Sequence, residues 1–229
     1  MCLIGLQKVS AVIPAYNEAR FIEGVISKAK KHVDHVVVVD DGSTDETAEI
    51  AAKNGAIVII HEENMGKWIA LRDGFKKALE ISSDLIIQLD GDGQHDPDEI
   101  PKFIDALREF DIVVGYRSKK GMPLIRRFSN FITTAMLKVF FSLQISDSQC
   151  GYRAYRKEAL TKLMNVEAKG FEGETASLIL AKRLGLRIGE VQIKTIYGQE
   201  KSKMKVARDT YRFLKTVFSM KAKAIKGEI

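Results

Sequence analysis

Short aliphatic and β-branched runs alternate, over the first half of the chain, with longer stretches whose apolar residues recur every three or four positions. The runs at residues 9–14, 35–40, 56–61, 84–90 and 111–115 predict strands. Most are continuously apolar rather than alternating, the pattern of strands buried on both faces. Residues 18–31, 44–54, 68–82 and 97–108 carry helical spacing, with Ser43 and Glu46 reading as a capping box before the second helix and Gly55 as its stop. Strand and helix in alternation build βαβ units, so the expected fold is α/β, a mostly parallel central sheet flanked by helices. Ligands of such sheets bind beyond the carboxyl ends of the strands.

After Gly115 the pattern changes. A basic segment at 117–127 leads into an amphipathic stretch at 128–145, a glycine-containing loop at 147–153, a helix near 172–184 and a strand at 188–196. The segment 201–226 is basic and expected to be an amphipathic helix. No repeat or linker divides the chain, so a single domain is expected over its 229 residues. The stretch at 128–145 contains Lys138 and several hydroxyl and amide side chains, which makes it marginal as a bilayer-spanning helix and better suited to lying in the interface. Residues 3–6 are apolar but lack the basic start of a secretory signal.

Composition narrows the class without naming a function. Hydrophobic residues make up 45% and charged residues 29%, the balance of a globular protein. Cys2 and Cys150 have no spacing of a disulfide framework or zinc site, and are expected to be free thiols of a cytoplasmic protein. The net charge of +6 permits attraction to phosphates or anionic lipid and does not require nucleic acid.

Three of the early strands end in polar clusters: Pro14-Ala15-Tyr16-Asn17-Glu18, Asp40-Asp41-Gly42-Ser43 and Asp90-Gly91-Asp92-Gly93-Gln94-His95. A parallel sheet sets these ends side by side, and so many carboxylates in one crevice require a cation or hydrogen-bond donors. Asp90 and Asp92, two apart on a glycine-containing turn, suit a hard divalent ion, Mg²⁺ or Mn²⁺, that also accepts diphosphate oxygens. Asp-x-Asp alone is also ordinary turn chemistry. An EF-hand counted from Asp90 fails, with His95 and Pro101 where Gly and Glu belong. The first strand leads into no Gly-x-Gly-x-x-Gly, and Lys67 follows Gly66 without the rest of a phosphate-binding P-loop.

Taken in order, Val12-Ile13-Pro14-Ala15-Tyr16-Asn17-Glu18, Val39-Asp40-Asp41-Gly42-Ser43-Thr44-Asp45, Asn64-Met65-Gly66-Lys67 and Asp90-Gly91-Asp92-Gly93-Gln94-His95 resemble the motifs of family 2 inverting glycosyltransferases of the GT-A fold. Gly115-Tyr116-Arg117-Ser118, residues 147–153 and residues 196–203 are similar to the polyprenyl-phosphate branch, the dolichol-phosphate mannosyltransferases among them. The resemblance implies a donor pocket lined by Pro14, Ala15, Tyr16, Asn17 and Glu18. Asp40 or Asp41, with Gly42, would lie near the base, and Lys67 near the base or the diphosphate. It implies a metal and diphosphate cluster of Asp90, Gly91, Asp92 and Gln94. Asp92, Arg117 and Asp147 would serve the reaction, and Arg117, Arg127, Lys201 and Lys203 would hold the acceptor phosphate. Residues 1–115 would then be the nucleotide-sugar-binding half, 116–200 the acceptor half and 201–229 a basic amphipathic tail. Trp68, where many relatives keep Gly, and Ser148-Gln149-Cys150, where many mannosyltransferases have Pro-Thr-Ser, leave the donor open.

The activity so implied moves a hexose from a nucleoside-diphosphate sugar, of GDP-mannose or UDP-glucose type, to a polyprenyl or dolichyl phosphate at the cytoplasmic face of a membrane. A phosphate acceptor, with a second pKa near 6, is largely ionised at neutral pH and needs no strong general base. Asp147, Glu172 and Glu174 are candidates for orientation or proton handling, against an ordinary role as caps. A sugar or hydroxyl acceptor would make one of them essential. A non-catalytic nucleotide-sugar or lipid-binding module is the other rival. A phosphatase of the Asp-x-Asp type is disfavoured by Gln94. His32, His35 and His61 have no partner pattern and are expected to be structural. The two amphipathic segments could reach a membrane surface, a membrane-embedded partner or a second copy of the chain.

Overall fold

The computed structural model describes residues 7–118, 124–194 and 206–226. In chain order the elements are β1 (Val9–Ala15), α1 (Ile22–Ala29), β2 (His35–Asp40), α2 (Thr47–Lys53), β3 (Ile57–Ile60), α3 (Lys67–Glu80) and β4 (Leu85–Gln88). A 3-10 turn at Pro97–Glu99 leads into α4 (Ile100–Ala106) and β5 (Ile112–Arg117). Then come α5 (Leu124–Phe141), β6 (Arg153–Arg156), α6 (Lys157–Leu163), α7 (Glu172–Arg183), β7 (Ile188–Ile193) and α8 (Val206–Lys226).

The strands form one sheet of order β3-β2-β1-β4-β6-β5-β7, α/β and mostly parallel as the sequence predicts. Only β6 runs against its neighbours β4 and β5. The unbroken apolar runs serve two cores at once, because successive side chains leave a strand on opposite faces. Val37 and Val39 pack with α3, α6 and α7 on one face, and Val36 and Val38 with α1 and Ala51 of α2 on the other. These four valines are at most 3% exposed, and burying each contributes about 1.5 kcal/mol or more. Edge strand β3 is the exception, with Ile60 67% exposed.

Three local expectations are corrected. The capping box does not form: α2 starts at Thr47, its backbone N–H donates to Asp45, and the Ser43 hydroxyl instead accepts from the Asn17 N–H at 2.9 Å. The predicted fourth strand stops at Gln88, so that Asp90 lies on the turn beyond it. The amphipathic stretch is helical only to Phe141, where Ser142 adopts φ +53° and ends it, and Leu143 and Ile145 turn into the core.

Helix α5 buries Leu137 in the core yet also buries polar side chains and exposes aromatic ones. Asn130 and Thr133 are buried, Thr133 Oγ1 lying 2.8 Å from Ser148 Oγ. Phe128, Phe131 and Val139 are 66%, 68% and 76% exposed. Phe218 of α8, itself exposed, lies beside Phe140 with ring centroids 6.1 Å apart. Among the described residues no helix is long and apolar enough to cross a membrane.

Candidate active site

The crevice at the carboxyl ends of β1, β2 and β4 is built largely from backbone-directed carboxylates. Asp41, 4% exposed, accepts from the backbone N–H groups of Met65 and Gly66 at 2.9 Å each and lies 2.8 Å from His61 Nδ1. His61 Nε2 lies 3.2 Å from Asp73. His61 therefore has two carboxylate partners, hidden from the sequence pattern because one follows β2 and the other lies on α3. Asp40 accepts from the Ser43 N–H at 2.9 Å, and Asn17 accepts from the Thr44 N–H at 2.8 Å. These bonds join the first two polar clusters into one wall. Asp40, Asp41 and Gly42 shape that wall, the backbone of Glu63 passing directly over Gly42.

Asp41 thereby fixes the start of α3. Gly66 takes φ +105°, and the Lys169 carbonyl occupies the place where a Cβ would project. Trp68 is 2% exposed, its indole N–H donating to the Val166 carbonyl at 3.0 Å and its backbone N–H to that of Lys169 at 3.1 Å. Its ring packs flat where Gly173 leaves room on α7. Trp68 is thus a structural key between α3 and the segment leading to α7.

Lys67, between these anchors, is delivered into the crevice. Its ammonium lies 2.7 Å from Asp90 Oδ1 and 3.2 Å from Glu174 Oε2, and 5.3 Å from the centroid of the Phe171 ring. Glu174 Oε1 accepts from Gln88 Nε2 at 2.5 Å, and the Tyr155 hydroxyl donates to Gln88 Oε1 at 3.0 Å. Burial alone lowers the pKa of Lys67, but Asp90 and Glu174 together outweigh it and raise the pKa above the ordinary lysine value. Burial likewise opposes charge on Asp90, yet the Lys67 ammonium above all, with Arg117, holds its carboxyl below the usual range. Asp90 Oδ1 is closed off from solvent, and the Lys67 ammonium is the group that meets it there. His95 Nδ1 accepts from the Asp90 N–H at 3.2 Å, and burial lowers its pKa, so the ring is neutral with its proton on Nε2.

The loop 147–153 closes the other side. Gly151 sits so near that a Cβ there would lie 2.8 Å from Lys67 Nζ and 2.9 Å from Asp90 Oδ2. At its start Asp147, 1% exposed, accepts from Arg117 Nε at 2.7 Å and Nη2 at 3.0 Å. This two-point fork fixes the plane of the guanidinium. Buried Arg153 reaches under the loop, donating to the carbonyls of Cys150 at 3.1 Å and Glu174 at 2.6 Å. Asp92 accepts from the Gln94 N–H at 3.0 Å within its turn. Among the described residues no three His, Cys, Asp or Glu side chains form a ready-made metal cage.

The structure thus joins Lys67, Asp90 and Glu174 in one ion-paired group and ties Arg117 to Asp147. Arg127 is exposed at the start of α5. Lys201, Lys203 and Cys2 lie outside the described residues. Sequence reasoning missed Gln88 and Tyr155; the signal was a lone amide in an otherwise apolar strand, which must find a partner when buried.

Fold and site define a class, an α/β protein with fixed cations and carboxylates gathered at the carboxyl edge of its sheet. The model of the family described as glycosyl transferase family 2 matches residues 10–164, and the chain belongs to that family. It is a glycosyltransferase of the GT-A fold. It is 37% identical over 214 residues to the UDP-N-acetylglucosamine–dolichyl-phosphate N-acetylglucosaminyltransferase of Methanococcus voltae, covering 82% of this chain and 85% of that one. It is 30% identical over 203 residues to the undecaprenyl-phosphate mannosyltransferase of Micrococcus luteus, covering 81% and 82%. The structure of glucosyl-3-phosphoglycerate synthase from Mycobacterium tuberculosis with Mn²⁺, UDP and phosphoglyceric acid superposes with a TM-score of 0.78 at 25% identity, over 94% of this chain and 78% of that chain.

Proposed function

We propose that this glycosyltransferase moves a hexose, with inversion, from a nucleoside-diphosphate sugar to a polyprenyl or dolichyl phosphate. One observation carries the choice of acceptor. The three acidic residues on the acceptor side are already engaged: Asp147 by Arg117, Glu172 by the backbone N–H groups of Lys169 and Gly170, and Glu174 by Gln88 and Lys67. Asp90, with its lowered pKa, is a weak base. A hydroxyl acceptor needs a base within reach, whereas a phosphate with a second pKa near 6 arrives ionised. The relatives from Methanococcus voltae and Micrococcus luteus, whose names give polyprenyl-type phosphates as acceptors, support the same reading.

In this reading residues 1–115 bind the donor, with Pro14, Ala15, Tyr16, Asn17 and Glu18 along the nucleotide. Lys67 meets the diphosphate at the amino end of α3, where the helix dipole also favours an anion. Arg117, held by Asp147, meets the acceptor phosphate, and Arg127, Lys201 and Lys203 add positive charge on its approach. An acceptor phosphate oxygen attacks the anomeric carbon opposite the diphosphate; the new C–O bond forms as the bond to the diphosphate breaks, and the anomer inverts. No proton need move to or from the protein.

A divalent ion fits the chemistry of the donor set. Asp90 and Asp92 supply hard oxygens, buried Asp90 Oδ1 has only the Lys67 ammonium against it, and Mg²⁺ or Mn²⁺ is commonly held by one or two carboxylates plus phosphate oxygens. Gln94 is a further oxygen donor on the same turn. Such an ion, when bound, neutralises charge on the departing diphosphate. The neighbouring structure was solved with Mn²⁺ and UDP, which supports this assignment.

The exposed aromatic face of α5 with Phe218, next to the basic segment, supports docking on the cytoplasmic leaflet where the lipid phosphate resides. The test is transfer itself. Purified protein is given GDP-mannose, UDP-glucose or UDP-N-acetylglucosamine with dolichyl or undecaprenyl phosphate, and the lipid product is identified by mass spectrometry and its anomer by NMR. One donor should give a lipid-phosphate sugar of inverted configuration, lost in Asp92→Ala. No transfer from any donor refutes the reading.

A further inference from the structure

Lys67 bridges two carboxylates that are held very differently. Glu174 is fixed from behind: Gln88 donates to its Oε1 at 2.5 Å, and Gln88 is in turn set by the Tyr155 hydroxyl at 3.0 Å. The Glu174 side chain is 8% exposed. Asp90 faces the crevice, its side chain 26% exposed, and its Oδ1 meets the ammonium at 2.7 Å with no second donor behind it. A cation so placed can give up the Asp90 contact and keep the Glu174 one.

Resting on the metal reading above, we propose that Lys67 is an internal counter-ion. It occupies Asp90 while the donor is absent and yields it to the divalent ion when a diphosphate arrives. Without a diphosphate the incoming ion must push the ammonium off Asp90, and two cations then face each other across one carboxylate. A diphosphate offers Lys67 a second anion at the amino end of α3 and removes that repulsion. Metal and donor therefore bind with positive coupling, and the coupling is reciprocal. Gly151 leaves the ammonium room at this point, a Cβ there falling 2.8 Å from Nζ. The arrangement guards against a metal-loaded site with no donor in it.

The probe is Mn²⁺, followed by the electron paramagnetic resonance signal of the free ion. Titrations are run with no nucleotide, with UDP and with GDP, correcting for Mn²⁺ held by the nucleotide in solution. Wild type should bind Mn²⁺ about tenfold more tightly with its matching nucleotide than without, within the usual range of coupling between sites. Lys67→Met should bind Mn²⁺ alone about tenfold more tightly than wild type and lose most of the nucleotide's enhancement. Glu174→Gln, which leaves Asp90 as the carboxylate partner of Lys67, should bind Mn²⁺ alone more weakly than wild type. Asp92→Ala should bind none in any condition, and circular dichroism verifies that each variant is folded.

If Lys67→Met binds Mn²⁺ no more tightly than wild type, or binds it more tightly with the nucleotide enhancement unchanged, the counter-ion role is overturned while the metal site stands. If Glu174→Gln is the one folded variant and matches wild type, the role is likewise overturned. Absence of Mn²⁺ binding to wild type with either nucleotide overturns the metal reading and this inference together.

Discussion

Arg117 and Asp147 work as one unit. The carboxylate takes Nε and Nη2 of the guanidinium in a fork that an ammonium cannot reproduce. Arg117→Lys should therefore lower kcat/KM for transfer by about tenfold to a hundredfold, the order expected when a hydrogen bond between charged groups is lost. Asp147→Asn should cost less, since an amide oxygen still accepts one of the two bonds, and steady-state kinetics with the lipid phosphate varied will rank the two. Cys150 gives a second residue-level expectation. Burial, with Asp147 nearby, pushes its thiol up to about 12, so at pH 8 it is neutral and shielded. In the native protein the Cys150 peptide should stay unlabelled by maleimide at pH 8 and become labelled in denaturant, as read by mass spectrometry. Labelling in the folded state would mean that loop 147–153 opens.

At the scale of elements, the parallel strands and the first four helices were legible because a doubly covered parallel sheet needs continuous apolar runs and its helices need one apolar stripe. What escaped has physical causes. Strand β6 begins and ends in arginine, and nothing in four residues reveals that Arg153 is buried against the carbonyls of Cys150 and Glu174. Helix α6 is too short to display a period. The strand-end carboxylates stood out as a group, but spacing could not separate those that build the wall from those that face the crevice. Asp41 shows the difference: its bonds to Met65 and Gly66 depend on how the chain returns from β3. The contact between α3 and α7 can be tested directly. A Cβ at Gly173 would overlap the Trp68 ring, so Gly173→Ala should destabilise the protein by about 1–3 kcal/mol, as overpacking generally does. A lower urea midpoint with an unchanged slope is the expected result.

For the whole molecule, the sheet carries the ends of β1, β2 and β4 and the loop 147–153 on one frame, and α5 and α8 turn exposed aromatic side chains outward. Replacing Phe128 and Phe131 together by serine should weaken sedimentation with phosphatidylglycerol vesicles by about tenfold or more, because each phenyl ring buried in lipid contributes about 1.5–3 kcal/mol. Folding should be little affected, since both rings are exposed. If vesicle binding is unchanged and the double variant instead changes from dimer to monomer in sedimentation velocity, that face joins two copies of the chain.

The central claim is that the acceptor arrives already ionised, so that Arg117 and Lys67 have charges to hold and no side chain has a proton to take. The most direct measurement sets undecaprenyl phosphate against undecaprenol of the same length, with the matching donor and Mn²⁺, and follows the glycosylated lipid. Transfer to the phosphate alone is the predicted result. Transfer to the alcohol at a comparable rate would contradict the account and require a general base among Asp147, Glu172 and Glu174.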